Sequence, residues 1–303
     1  MWTTVECAGH PRDMGLAQGR AAKLAIRAEL ERVGLSRRRS RWPSLRAFAA
    51  GPFRGQGAGR EFFRHFAHQA ERLDGIATAA DVPVDSILDL HLRVRTGGTE
   101  GGLLSRRASL RARTLGGGEE KRALLERTLP RAADGEAGWI LRESRPEVGF
   151  RSIEVALPWL VCAVAGVNSG GLAVVAGPLL WGKPGREGGS PSPLLVQECL
   201  QRFSDVEGAI DWCVKRPVEG EQSFVLADAK GAVATVVANG RERRVQQGDG
   251  ELYLEGGELP SETAAAELGG ENEPGGDRVL IDARARRLQI DAAEAGINLE
   301  LTD

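Results

Sequence analysis

The hydrophobic period changes once along this chain, near Thr96, and that change restricts the fold more than any other feature. Before it, apolar residues recur at helical steps. Met14, Ala17, Ala21, Leu24, Ala28 and Leu30 line one face between Pro11 and Val33, and Phe62, Phe63, Phe66, Ala70, Leu73 and Ile76 do so between Glu61 and Ala79. A third helix begins near Val84 and carries Ile87, Leu88 and Leu90. Gly15 and Gly19, four apart, let the first helix approach a neighbour closely. Arg41 to Gly59, rich in Gly, Pro and Arg, reads as a loop. After Thr96, Gly97-Gly98-Thr99-Glu100-Gly101-Gly102 and Gly116-Gly117-Gly118 break the chain, and strand-length apolar runs follow. Strands are expected near Ala123–Thr128, Trp139–Glu143, Arg151–Ala156, Leu160–Ala165 and Leu172–Ala176. Two helices interrupt them. Ser192-Pro193 opens one that runs to about Phe203, and Ser204 with Glu207 forms a capping box for the next, Asp205 to Lys215. Strands resume at Gln222–Ala227 and Ala232–Ala238, joined by a turn at Asp228-Ala229-Lys230-Gly231, while Asn239-Gly240 and Asp249-Gly250 signal hairpin turns. Leu268 to Gly276 is a Gly/Glu-rich loop. This order predicts an α+β fold rather than a parallel α/β sheet.

Composition excludes several function classes. Met1 to Glu6 has neither the basic start nor the apolar stretch of a secretory signal, and the nearly apolar run Val155–Val167 is too short to span a bilayer, so a cytoplasmic protein without a membrane role is expected. The cysteines Cys7, Cys162, Cys199 and Cys213 have neither CxxC nor zinc spacing and read as reduced and buried. Residues 1–133 carry 24 basic and 14 acidic side chains and residues 134–303 carry 16 and 28, so the halves can neutralise one another. With no nucleic-acid-binding motif present, the cluster Ser36-Arg37-Arg38-Arg39-Ser40-Arg41 reads as a solvated segment of an Arg-rich chain, and no nucleic-acid partner is expected.

Four segments in order carry a resemblance. They are Gly9-His10-Pro11-Arg12-Asp13-Met14-Gly15-Leu16-Ala17-Gln18-Gly19, then Glu71 to Leu90, then Gly166-Val167-Asn168-Ser169-Gly170-Gly171-Leu172-Ala173-Val174, and finally Pro193 to Leu200 followed through to Asp228. Together they resemble the isopenicillin N acyltransferase and acid amidase-like family of N-terminal-nucleophile (Ntn) hydrolases, over residues 5 to about 240. The resemblance implies a four-layer αββα sandwich, with residues 1–97 as a helical pro-region and 98–303 as the core of one integrated globule. It also implies chemistry. The precursor cuts itself before a Cys in a G-C-T segment, and the new N-terminal Cys attacks an amide or thioester carbonyl with its own α-amino group as base.

The chain departs from that pattern where the chemistry lies. Gly97-Gly98-Thr99 stands where G-C-T is expected, and Gly98 has no nucleophile. Thr99 is the alternative, after cleavage at Gly98-Thr99, although one step along a strand points it to the opposite face. The family's R-N-x-D acid falls at Pro130, with Arg127 retained. Its G-L-A-V-x-x-N asparagine falls at Gly177, and its H-T-N-H segment near Tyr253-Leu254-Glu255-Gly256-Gly257. No catalytic residue is therefore expected, and Gly98, Thr99, Arg127 and Asn168 are vestigial pocket positions. Asn168 reads as a turn residue tolerating left-handed geometry. His65-x-x-His68 lies on one helix face without further ligands and reads as packing rather than a metal site, and His10 and His91 complete the histidines. Cys162, in an apolar strand without a cationic or His neighbour, reads as an inert thiol. The expectation is a degenerate acyltransferase homologue acting as a binding or interaction module, with no cofactor. A small acyl or amide ligand and an oligomer, including one with an active paralogue, are its possible partners. The alternative is an active amidohydrolase or acyltransferase using Thr99.

Overall fold

The computed structural model describes residues 2–35, 64–93, 108–130, 132, 138–180, 193–216, 218, 221–239, 242–248, 251–255, 277–292 and 296–302. Two sheets lie face to face. The larger has eight strands in the order β1 (Thr3–Gly9), β4 (Ile140–Pro146), β5 (Ser152–Ala156), β6 (Ala165–Asn168), β7 (Leu172–Leu180), β8 (Glu221–Asp228), β9 (Val233–Asn239) and β10 (Glu242–Gly248). All its neighbours are antiparallel except β1 and β4. The smaller has six, in the order β11 (Glu251–Glu255), β2 (Ser109–Leu115), β3 (Arg122–Leu129), β12 (Asp277–Asp282), β13 (Arg287–Asp291) and β14 (Ile297–Glu300). β2 and β3 lie over β7 and β8, and β12 and β13 over β6.

Helices cover the other face of the eight-stranded sheet. α1 (Pro11–Ala21) packs on β1 and β4, α5 (Leu194–Arg202) on β6 and β7, and α6 (Val206–Lys215) on β8 and β9. α2 (Lys23–Arg32) and α4 (Val84–Arg93) pack against α3 (Ala67–Ala80), which crosses α1. Covered on both sides, β5 and β6 are buried at every residue, and their sequences therefore read as continuous runs rather than alternations. The six-stranded sheet alternates, as β3 shows with every second residue buried. Its outer face carries ion pairs, Arg278 with Glu126 at 3.3 Å and with Asp291 at 3.1 Å, and Arg287 with Glu300 at 2.7 Å. That face is a solvated surface. Three layers, helix, sheet and sheet, are thus built from the described residues.

The crossing of α1 and α3 depends on glycine. A Cβ on Gly15 would overlap the Arg72 carbonyl, one on Gly75 the Arg12 carbonyl, and one on Gly19 would stand 2.5 Å from the Ile76 carbonyl. The close approach expected from Gly15 and Gly19 is present, and Gly75 supplies its other half.

Several expectations are corrected. The opening is not all helical, because Thr3–Gly9 is an edge strand of the large sheet, paired in parallel with β4. The helix expected over Pro11–Val33 breaks at Ala22 (φ −104°, ψ 11°). Leu160–Val164 is an irregular buried segment, and β6 starts only at Ala165. Asp205, not Ser204, caps α6, its Oδ1 accepting from Gly208 N at 2.9 Å. Asn239 and Glu242 pair at one end of the antiparallel strands β9 and β10, whereas β10 and β11, the strands before and after Asp249-Gly250, belong to different sheets; Asp249 and Gly250 themselves lie outside the described residues. The Arg37–Arg41 cluster and Leu268–Gly276 lie outside the described residues.

Candidate functional site

The interior between the two sheets is apolar except at one end. On β3 the inward residues are Ala123, Leu125, Arg127 and Leu129, so a guanidinium stands in a row of aliphatic side chains. Arg127 is 1% exposed, its Nη1 donates to Val164 O at 3.3 Å, and its Nε has no partner among the described residues. Burial pulls its pKa from 12.5 to about 9. A buried cation with one long hydrogen bond is under-satisfied, and a carbonyl or carboxylate oxygen would complete it.

The strand beside Arg127 offers no nucleophile. Leu110 of β2 faces Arg127 in register, and Leu110 and Ala108 are buried. Ser109, between them, sits on the other face, with its amide 2.9 Å from Thr128 Oγ1. Ser223 of β8 is buried, and among the described residues its hydroxyl has no hydrogen-bond partner that could act as a base. Gly98 and Thr99 lie outside the described residues.

The remaining departures have structural explanations. Pro130 accepts through its carbonyl from Trp139 Nε1 at 2.9 Å. Gly177 is pressed against Ser223, its carbonyl accepting from Gln222 Nε2 at 3.1 Å, and a side chain there would overlap the Ser223 hydroxyl. Any side chain at this position would require the Ser223 hydroxyl to turn away. Asn168 is neither left-handed nor part of the sandwich end: the positive φ of this turn belongs to Gly171, at 87°. Buried at the end of β6, Asn168 donates Nδ2 to Leu200 O (2.8 Å) and Phe203 O (2.7 Å) and accepts from Leu172 N (2.9 Å), tying the turn to the end of α5. Arg127 and Asn168 are therefore not brought together as one pocket. β11 covers Tyr253–Glu255.

Polar residues that the sequence did not single out gather under the helices. The buried segment 157–164 lacks ladder partners for much of its backbone, and on this side the side chains of α1, α4, β4 and α5 supply them. Gln18 Nε2 donates to Pro158 O and Leu160 O, both at 3.0 Å, and Arg142 donates to Leu160 O and Val161 O, both at 3.1 Å. Gln197 Oε1 accepts from Ala163 N at 2.9 Å, and His91 Nε2 accepts from Val161 N at 3.2 Å. His91 Nδ1 lies 2.9 Å from Ile87 O, so the ring is the neutral Nδ1–H tautomer. Burial lowers its pKa from 6.5 to about 4.

At the centre of this network Arg142 Nε meets Glu154 Oε2 at 2.5 Å, with both side chains fully buried. Burial pushes the Glu154 carboxyl up, but Arg142, Arg72 and hydrogen bonds from Ser152 (2.6 Å) and Gln197 (2.8 Å) outweigh it and bring the carboxyl down to about 2. The available signal was an Arg and a Glu of opposite charge inside Ile140-Leu141-Arg142 and Ile153-Glu154-Val155. These two residues stand opposite each other in the β4–β5 register.

The cysteines are sealed. All four are free, and each has no exposed surface. Cys162 does have cationic neighbours, Arg142 and Arg72, contrary to the expectation, yet burial dominates and raises its pKa. His68 Nε2 lies against the buried Glu198 carboxylate, which Arg202 also meets at 2.5 Å. His10 Nδ1 is 3.5 Å from Glu71 on the surface. A cleft of about 540 Å³, lined by Leu115, Gly116, Glu120, Arg122, Asp282, Arg284 and Ala285, opens at the opposite end of β2 and β3 from Arg127. None of the described helices is long and apolar enough to cross a membrane.

No family profile and no curated protein matches the chain. Among solved structures, penicillin V acylase from Agrobacterium tumefaciens is similar, at 16% identity and a TM-score of 0.44, covering 64% of this chain and 86% of that one. A mutant of conjugated bile acid hydrolase from Clostridium perfringens is similar at 10% identity and a TM-score of 0.44, covering 63% and 92%.

Proposed function

We propose that this chain is a catalytically silent protein of the acylase type, never self-cleaved, that binds a small acyl or amide ligand at the Arg127 end of the sandwich. The observation that carries this reading is that all four cysteine thiols are buried, with none on the inward face of β2 beside Arg127. Thiol acyl transfer needs an accessible, activated thiolate. Gly98 and the surroundings of Arg127 point the same way, since Ala108 and Leu110 supply neither thiol nor hydroxyl. Arg127 favours a binding role, because its partnerless Nε suits a ligand oxygen. The aliphatic residues beside Arg127, Ala108 and Leu110 among them, then receive the ligand's acyl chain within a two-sheet sandwich of the Ntn type.

The test is to incubate the purified full chain with acyl p-nitroanilides and, separately, to titrate it calorimetrically with short N-acyl amino acids. The reading expects no nitroaniline release above buffer, and binding that Arg127→Met abolishes. Turnover would refute the silent assignment, and binding that survives Arg127→Met would refute the placement.

A further inference from the structure

Cys199 of α5 and Cys213 of α6 meet in the core, their Sγ atoms 3.4 Å apart and both fully buried. A disulfide sulfur pair sits about 2.05 Å apart, so side-chain rotation must close a little over about 1 Å. The two helices are already fixed relative to each other. Asn168 holds the end of α5 through Leu200 O and Phe203 O, and Asp228 Oδ2 accepts from Val206 N at the start of α6 at 3.1 Å. The two sulfurs are thus held near each other by a packed pair of helices.

Access is the second requirement, and the structure offers a route. Cys213 lies in the last turn of α6, followed by exposed Val214 and Lys215. That turn is held from outside by Arg243 of the edge strand β10, which donates Nε to Cys213 O at 3.1 Å and Nη2 to Arg216 O at 2.5 Å. Terminal turns open at far lower free energy than cores. Opening of that turn on release of the Arg243 tether would uncover Cys213 ahead of Cys199, which lies within α5 away from the turn. Cys199 is held as the thiol, its pKa raised by its bond to Cys213 and by burial.

We propose that Cys199 and Cys213 form a redox modification site that a hydroperoxide converts to an intramolecular disulfide, with the Arg243-held turn of α6 as its gate. The Cys213 thiolate attacks the peroxide's distal oxygen, the O–O bond breaks, and the alkoxide leaves with a proton as ROH (water, for hydrogen peroxide). The Cys199 sulfur then attacks the resulting sulfenic acid, the S–O bond breaks, and water departs with the Cys199 proton. Two thiols and one hydroperoxide give one disulfide, one ROH and one water, the peroxide taking both electrons. Cys7 and Cys162 stay reduced.

The experiment treats the full chain with hydrogen peroxide, counts free thiols after denaturation and maps the linkage by peptide mass. Four thiols should fall to two, with Cys199 joined to Cys213 and dithiothreitol restoring all four. Arg243→Ala should speed the loss about tenfold, the scale of two lost hydrogen bonds. Cys199→Ser should stop at a Cys213 sulfenic acid that dimedone traps. Four thiols persisting in both the parent and Arg243→Ala, or a bond linking other cysteines, overturns the site. An unchanged rate in Arg243→Ala overturns the gate.

Discussion

Replacing Glu154 with glutamine keeps the shape of the side chain and removes one charge from a buried pair. In the native chain Glu154 answers Arg142 at 2.5 Å and accepts from Ser144, Ser152 and Gln197. A carboxyl held at about 2 in the fold and near 4.5 in the unfolded chain contributes about 3 kcal/mol at neutral pH, at about 1.4 kcal/mol per tenfold change in proton affinity. The cost of stranding a buried partner charge, about 3–5 kcal/mol, agrees with it. The sign follows from the lowered pKa. The contribution is complete above the unfolded value and is lost as pH falls through the folded one, between about 5 and 2. Urea unfolding of parent and Glu154→Gln, followed by tryptophan fluorescence at pH 7, 5, 4 and 3, reads the difference directly. The gap should be about 3 kcal/mol at pH 7 and narrow steadily toward pH 3. A gap below about 1 kcal/mol at pH 7, or one that does not change with pH, would refute the claim that this pair anchors the 157–164 segment.

Gly75→Ala should cost about 3 kcal/mol or more, because the new methyl overlaps the Arg12 carbonyl and stands 2.9 Å from Leu16 N, whereas Gly117→Ala, with nothing within 4 Å, should shift stability by less than about 0.5 kcal/mol; thermal melts of the two compare them. His91 adds a second acid sensitivity: its pKa is lowered in the fold, so stability should fall as pH drops from about 6.5 to about 4, and His91→Gln should flatten that part of the urea-midpoint profile. Asn168→Ala unties three buried hydrogen bonds and should lower stability by about 2–4 kcal/mol while leaving ligand affinity at Arg127 unchanged, a pairing that melts and calorimetry can check.

The opening helices were legible as helices, and the buried stripe of α3 keeps its 3.6 period, but the face read between Pro11 and Val33 is corrected in part: Ala21, Leu24 and Ala28 are exposed, and Gln18, Gly19, Ile26 and Glu29 are buried instead. β5, β7, β8 and β9 were legible as apolar runs bounded by turns. Thr3–Gly9 was missed because only Val5 and Cys7 of that edge strand are buried, too few to declare a period. β10 escaped for a related reason, being an edge strand of exposed polar residues, Glu-Arg-Arg-Val-Gln-Gln-Gly. The error at Leu160–Val164 has a different cause. An apolar run implies burial but not a ladder, and this one satisfies its backbone with Gln18, His91, Arg142 and Gln197, up to 142 residues away. No local pattern carries such partners. The inward position of Arg127 follows from the alternation of β3, in which every second residue is buried. Asn168 was misread because its three bonds reach across to α5 and the following strand, and a turn signature cannot report them.

The central proposal is that this chain is of the acylase type but lacks the self-cleavage that would arm it. The intact mass of the purified full-length chain tests it most directly, measured on the parent and on Gly98→Cys after prolonged incubation. A single species at 32.4 kDa for the parent, and an uncut chain for Gly98→Cys, is the predicted result. Two fragments meeting at the Gly98-Thr99 bond in the parent would contradict it, and cleavage restored by the single Gly98→Cys change would show that the machinery for cutting is intact apart from one residue.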